Sequence, residues 1–370
     1  MKICVIGCGI VGTFLSFFLK KRGVDVTALS RARKYPSIGL IQSIMQKHDA
    51  DIYAARRSRE IYIEVSKIFN IDDAVKYVKS YTIIPRSKED FVDKLVEKWR
   101  ENNVRVRKLE KDELRDLPFK YYDNEIIYLC DNDTIVRIDK IIEKLWREIG
   151  VEKCTVTLVK ENDKLKILAN GREINNKFDI IAICCGAWTR KILSSIGINI
   201  PLIPYKCQAG LFALSTRESD YILYDYVNKI YVRPCGKLSR ARLRGERLMV
   251  AGNGNTPPMD PEDKARVEPW FANDIIPKLL KRFDKARFIK GSAGFCDTSP
   301  DSRPIIGVFN NVLIVSGFDG YGAEIGPAVA EIACKIILKE PLNDLEKSFL
   351  VDRFSGEVTL SLPQVEAHEL

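Results

Sequence analysis

Histidine is almost missing from this chain. Two occur in 370 residues, His48 and His368. A histidine-based catalytic triad or metal cluster is therefore not expected, and no metal site is assigned. Ten cysteines are present, singly or as Cys184-Cys185, and none are spaced C-x-x-C. That excludes the usual frames for an iron–sulfur cluster or a structural zinc. No apolar run approaches the roughly 18 residues needed to cross a bilayer, so no transmembrane segment is expected. Nor does a secretory signal pattern open the chain, so reduced thiols and a cytoplasmic location are expected. Basic residues outnumber acidic ones, 59 to 50, for a net charge of +9. They are dispersed, with one modest cluster at Arg233, Lys237, Arg240, Arg242, Arg244 and Arg247. Since no nucleic-acid motif accompanies them, a solvated basic surface and no nucleic-acid partner is the reading. The length allows a large core and two domains.

What is there begins at the N-terminus. Residues 2–8, KICVIGC, suit a buried parallel strand. They run into Gly7-Cys8-Gly9-Ile10-Val11-Gly12, a G-x-G-x-x-G. Residues 13–22 follow with an apolar face at helical spacing and basic residues in the last turn, and Gly23 stops them. Residues 24–29 read as the second strand. In such a strand–turn–helix Gly7 permits the tight turn, Gly9 lets a pyrophosphate near the backbone, and Gly12 lets helix and strand close together. The acid that normally ends the second strand and binds ribose is replaced by Ser30, followed by Arg31. Serine binds ribose less strongly than a carboxylate, whereas Arg31 or Arg33 can meet a phosphate or stack on adenine. The motif alone leaves FAD, NAD and NADP open.

Further along, periodicity predicts helices over 51–69, 88–102 and 138–149, the last ended by Gly150. Strands are expected at 75–85, 104–109 and 126–130, with the pattern changing at Asp131. A small meander covers 156–174, and 179–185 is another buried strand, ending in Gly186-Ala187-Trp188. Residues 202–252 alternate like an antiparallel sheet. A helical stretch is expected over 262–283, a strand over 288–295 and a hairpin around Asn310-Asn311. Gly317-Phe318-Asp319-Gly320-Tyr321-Gly322 then opens a last apolar helix over 327–338.

Five blocks in order resemble the FAD-dependent oxidoreductases of the D-amino-acid oxidase superfamily, in particular glycine and sarcosine oxidases and dye-linked proline dehydrogenase subunits. They are VIGCGIVGTFLSFFLKKRGVDVTALSR, DTIVRIDKIIEKL, FDIIAICCGAW, IYVRP and DTSPDSRPIIGVFNNVLIVSGFDGYGAEIGPAVAEIA. The resemblance implies an α/β fold. A discontinuous, Rossmann-like FAD-binding domain would comprise 1–75, 132–205 and 290–345. A substrate domain on a mainly antiparallel sheet would comprise 76–131 and 206–289, with 346–370 a C-terminal tail. It implies FAD on Gly7, Gly9, Ile10, Val11 and Gly12 at the pyrophosphate. Ser30, Arg31, Val156, Cys185, Gly186 and Trp188 would lie at the adenosine end. The loop Ser37, Gly39, Leu40, Ile41 and Gln42 would pass the flavin. Gly320, Tyr321, Gly322, Ala323 and Glu324 would start a helix whose positive end faces the ring.

The implied reaction is oxidation of a C–H bond beside an amine, with hydride passing to flavin N5. In the glycine-oxidase pattern an arginine gripping the substrate carboxylate precedes the turn proline by four residues. Here Cys296 stands at that position, before Pro300. Arg233, beside Tyr231, and Lys206 are the substitutes considered. Cys296 itself reads as a packed thiol, a pocket residue or a covalent flavin attachment point. Ile38 and Gln42 stand where some relatives carry charged pocket residues. The primary expectation is an enzyme oxidising a small amine or amino acid related to proline, glycine or sarcosine, with a quinone, a dye or a partner subunit as possible electron acceptor. The alternatives are a hydroxy-acid or polyol-phosphate dehydrogenase, a non-catalytic FAD-carrying subunit, and an NAD(P) enzyme, which the Gly317–Gly326 block opposes.

Overall fold

A computed structural model describes residues 1–31, 39–41, 46–162, 164–235, 242–243, 245–252 and 257–354. Two sheets organise an α/β fold. In the first, six strands run in the order Ile305–Phe309, Val312–Ser316, Ile180–Ile183, Lys2–Ile6, Asp25–Ser30, Glu152–Lys153. All neighbours are parallel except the first pair, the hairpin expected around Asn310. Alternation along Lys2–Ile6 sends Ile3 and Val5 into one core and Cys4 and Ile6 into another. The first core is roofed by helices Ile10–Lys21, Asp49–Ile68, Ile138–Ile149 and Gly322–Ile337. The second lies beneath a three-stranded meander, Val156–Glu161, Lys164–Ala169 and Arg172–Glu173. No helix among the described residues is long and apolar enough to cross a membrane.

The second sheet has ten strands among the described residues. Its main path runs Ala286–Thr298, Ile203–Leu214, Glu246–Gly252, Ile230–Pro234, Tyr221–Asp225, Val75–Pro85, Glu125–Val136, Gly39–Ile41. Pairing is antiparallel except between Tyr221–Asp225 and Val75–Pro85. One face carries Phe212, Val232, Met249, Ala251, Leu223 and Ile83 into a core closed by helix Phe271–Leu280. The opposite face, one residue out of phase, carries Cys207, Cys296, Tyr231 and Arg233 at one end. At the other end helix Glu89–Glu101 covers it with Val92, Val96 and Trp99.

Three expectations about elements are corrected. The strand expected to end at Cys130 continues to Val136, because Asp133 and Thr134 are fully buried between Val75–Pro85 and Gly39–Ile41. Only Phe271–Leu280 of 262–283 is helical, since the Glu268 N–H is held by Gln208 Oε1 at 3.0 Å ahead of the helix. The last helix starts at Gly322, not Pro327. Pro327 has no N–H for the carbonyl of Ala323, and the Tyr62 hydroxyl donates to that oxygen instead at 2.8 Å. A neighbouring helix thus supplies the missing donor.

Helix Phe271–Leu280 is tied to the sheet by a buried ion network. The fully buried Arg282 donates to both oxygens of Glu125 at 2.7 Å and to Asp225 at 2.6 and 3.1 Å. Two carboxylates share one guanidinium where water does not reach. Arg282→Ala leaves both uncompensated and is expected to cost about 3–5 kcal/mol. Thermal denaturation measures this, and an unchanged midpoint refutes it.

Candidate active site

The N-terminal turn is built by exclusion of side chains. Gly7 has φ +90°, and a Cβ there would lie 2.5 Å from the carbonyl oxygen of Cys184. A Cβ on Gly12 would lie 2.1 Å from the oxygen of Gly7. Gly9 differs, with nothing within 4 Å of its missing Cβ. Two glycines therefore close backbone on backbone, and the third faces open space. Helix Ile10–Lys21 has no side-chain cap and no acid in its first turn. Its N–H groups are left for an external anion. The donor set fits a dinucleotide pyrophosphate.

Trp146 braces this turn, and sequence reasoning missed it. Its indole N–H donates to Thr13 Oγ1 at 2.9 Å and to the Cys8 carbonyl at 3.1 Å. The signal was an indole donor on an amphipathic helix, which needs an acceptor when buried. Ser30 is buried, and its hydroxyl accepts the Cys8 N–H at 3.3 Å. The Arg31 guanidinium stacks on the Trp188 ring at 5.1 Å, while the Trp188 indole N–H donates to Glu262 at 2.7 Å. Cys185 donates its S–H to the Ile6 carbonyl at 3.3 Å, and burial pushes its thiol up to about 12. Gly186 has φ +52° with open space beside it. Val156 is half-buried on the edge of the meander, opposite Ala169.

Strand Gly39–Ile41 meets the start of the last helix. A Cβ on Gly39 would lie 2.7 Å from the Cβ of Ala323 and 2.8 Å from Ile138. Leu40 and Ile41 pair with Ile135 and Thr134. Ser37, Ile38 and Gln42 lie outside the described residues, as does Arg33. Gly320 has φ +84° and open space beside it. Tyr321 caps the helix without a side-chain bond, and Gly322, Ala323 and the buried Glu324 form its first turn. Asp297, also missed, holds the loop before it. Its Oδ2 accepts from Ser316 Oγ at 2.6 Å and from the Gly317 N–H at 2.7 Å. Burial raises its carboxyl above the usual range, and does the same for Asp319.

On the open face of the large sheet, Cys296 and Cys207 have their sulfurs 3.1 Å apart. Tyr205, directly opposite Cys296, donates its hydroxyl to Asp319 at 2.8 Å. Tyr231 lies flat on Gly252, where a Cβ would fall 2.8 Å from its hydroxyl oxygen. Arg233 projects from the same face two residues on. Its one hydrogen bond among the described residues goes to the Pro234 carbonyl at 3.3 Å, and no carboxylate pairs with it there. Tyr224 and Tyr226, unforeseen, add an aromatic pair with ring centroids 5.1 Å apart, and burial raises both phenols. Lys206 does not join this group. It points to the opposite face and ion-pairs with Glu268. Period-two alternation separates it from Tyr205 and Cys207, the residues on either side.

Comparison with known proteins agrees with this fold. The sequence profile of the FAD dependent oxidoreductase family matches residues 2–336. Monomeric sarcosine oxidase of Bacillus sp. (strain B-0618) is 22% identical over 371 residues, covering 91% of this chain and 92% of that protein. The crystal structure of L-proline dehydrogenase from P. horikoshii superposes with a TM-score of 0.80 at 21% identity, covering 95% of this chain and 97% of the other. Glycine oxidase from Geobacillus kaustophilus gives a TM-score of 0.76 at 15% identity, covering 96% and 99%.

The two kinds of glycine are expected to respond differently to alanine. Gly12→Ala forces helix from strand and lowers the melting temperature of the cofactor-free protein. Gly9→Ala meets open space and leaves that temperature unchanged. It instead crowds the approaching phosphate and weakens FAD binding roughly tenfold, about 1.4 kcal/mol. Flavin fluorescence titration with thermal denaturation separates the two. Equal behaviour of the variants refutes the distinction.

Proposed function

The chain belongs to the FAD dependent oxidoreductase family, and from that premise we propose that it oxidises a small amino acid or amine related to proline, glycine or sarcosine. It is an FAD-dependent oxidoreductase, and bound FAD supplies a hydride acceptor at N5 for the C–H bond beside the substrate nitrogen. The remaining work falls to side chains that hold the substrate in register.

One observation carries the reading. Arg233 is half-buried, unpaired by any described carboxylate, and shares a face with Tyr231. A guanidinium so placed suits a substrate carboxylate, which it can grip with two parallel hydrogen bonds. It stands in for the arginine replaced by Cys296. Tyr231, pinned on Gly252, and Tyr224 on the next strand supply an apolar wall for a small aliphatic body. The relatives named sarcosine oxidase, glycine oxidase and L-proline dehydrogenase all take small amino acids, which supports the same substrate class. The domain division at 1–75, 132–205 and 290–345 against 76–131 and 206–289 is part of this reading, as is a cytoplasmic location.

Holoprotein without oxygen is expected to lose its flavin absorbance on addition of L-proline, glycine or sarcosine. Bleaching only by hydroxy acids moves the assignment to a hydroxy-acid dehydrogenase, and no bleaching favours a non-catalytic subunit. Reoxidation by a quinone or dye, compared with oxygen, assigns the acceptor. Arg233→Ala is expected to raise KM for the carboxylated substrate by about 10- to 100-fold, the loss of a charged hydrogen-bonded pair, with a smaller effect on kcat. An unchanged KM removes Arg233 from the substrate site.

A further inference from the structure

The cysteines at positions 207 and 296 are close for a reason written into the sheet. They lie on the antiparallel strands Ile203–Leu214 and Ala286–Thr298. Register places Gly294 opposite Cys207 and Tyr205 opposite Cys296, so the thiols are diagonal neighbours. Gly294 presents no side chain, and even a Cβ there would stay 3.9 Å from the Cys207 sulfur. Tyr205 is drawn away by its hydrogen bond to Asp319. Both obstacles to a diagonal contact are thus removed, and Cys296 leans across to 3.1 Å. At that distance the two sulfurs are in direct contact, with Cys296 placed as donor and Cys207 as acceptor. Both residues keep part of their surface open.

Chemistry separates the two sulfurs. Cys296 donates its S–H to Cys207, which holds the Cys207 thiol below its ordinary range, with backbone hydrogen bonds from this strand pair adding to the effect. Giving that hydrogen bond, losing contact with water and lying near the charges of Cys207, Asp297 and Asp319 all push the Cys296 thiol upward. One sulfur favours the thiolate and its neighbour keeps a proton, the pairing a nucleophilic and a resolving cysteine need.

We propose that Cys207 and Cys296 form a peroxide-reactive dithiol that closes reversibly to a disulfide. The Cys207 thiolate attacks one oxygen of hydrogen peroxide and the O–O bond breaks. Cys207 becomes a sulfenic acid, and the departing hydroxide takes a proton and leaves as water. The Cys296 sulfur then attacks the sulfenic sulfur. The S–S bond forms, and the sulfenic hydroxyl leaves as a second water with the Cys296 proton. Two thiols give up two electrons, which reduce one peroxide to two waters. A small dithiol reverses the change by exchange. Because Tyr231 and Arg233 share this face, closure redraws the wall assigned above to the substrate. That consequence rests on the proposed function, whereas the disulfide does not.

Reduced, desalted holoprotein is treated with stoichiometric hydrogen peroxide, alkylated with iodoacetamide and digested without reductant. Mass spectrometry is expected to find the peptides of Cys207 and Cys296 joined, and to find them separate and alkylated after dithiothreitol. Cys296→Ser is expected to leave a sulfenic acid on Cys207 that dimedone traps, and Cys207→Ser to give no dimedone adduct on Cys296. Two singly alkylated peptides in peroxide-treated wild-type protein overturn the proposal, as does a flavin attached to Cys296. The wild-type cross-link needs no variant to fold. A reversible change of at least roughly threefold in KM supports the link to the substrate wall, and a disulfide with unchanged KM overturns that link. Failure of flavin bleaching bears on the proposed function alone.

Discussion

Backbone meets backbone without an intervening side chain where the first strand turns into the first helix. The contact among Gly7, Gly12 and Cys184 sets how near that helix lies to the sheet. Helices Ile138–Ile149 and Gly322–Ile337 pack in turn against helix Ile10–Lys21. Trp146 on the former reaches back to the turn through Thr13 and Cys8. A side chain on Gly12 would displace the helix that both of these rest on. The same closeness leaves the open N-terminus of the helix beside Gly9, so packing and anion binding arise from one geometric requirement.

The large sheet has a different logic. One face is an ordinary apolar core closed by helix Phe271–Leu280 and locked by Arg282. The other gathers groups that a core does not retain without reason. Arg233 lacks a described carboxylate partner, the thiols of Cys207 and Cys296 touch, and Tyr231 is flattened on Gly252. Strand alternation lets one set of strands serve both purposes, because neighbouring residues face opposite environments. Lys206 shows how sharp the division is. A single residue's offset from Cys207 carries it to Glu268 on the far side.

Elements with strong periodicity and firm stops were legible in advance. The strand at Val75–Pro85 and the helix at Ile138–Ile149 with its Gly150 stop match their expected bounds. Legibility failed where tertiary contacts override local pattern. Asp133 and Thr134 follow the change of pattern at Asp131, yet they continue the strand and are buried between strands remote in the chain. Pro327 looks like a helix start, yet Tyr62 from another helix makes it tolerable inside one. Trp146 and Asp297 escaped notice because each acts on residues distant in sequence.

Local order sufficed to announce the N-terminal turn and its glycine roles, since Gly7 and Gly12 meet within a few residues and their spacing is itself the geometry, while the FAD resemblance needed five blocks read in order along the chain. Which cation shares a face with Tyr231, and which thiols meet, was decided only when strands far apart in the chain came into register. Cys207 and Cys296 are separated by 89 residues. Nothing in the neighbourhood of either cysteine reveals its partner, because strand pairing depends on the whole sheet closing over its core.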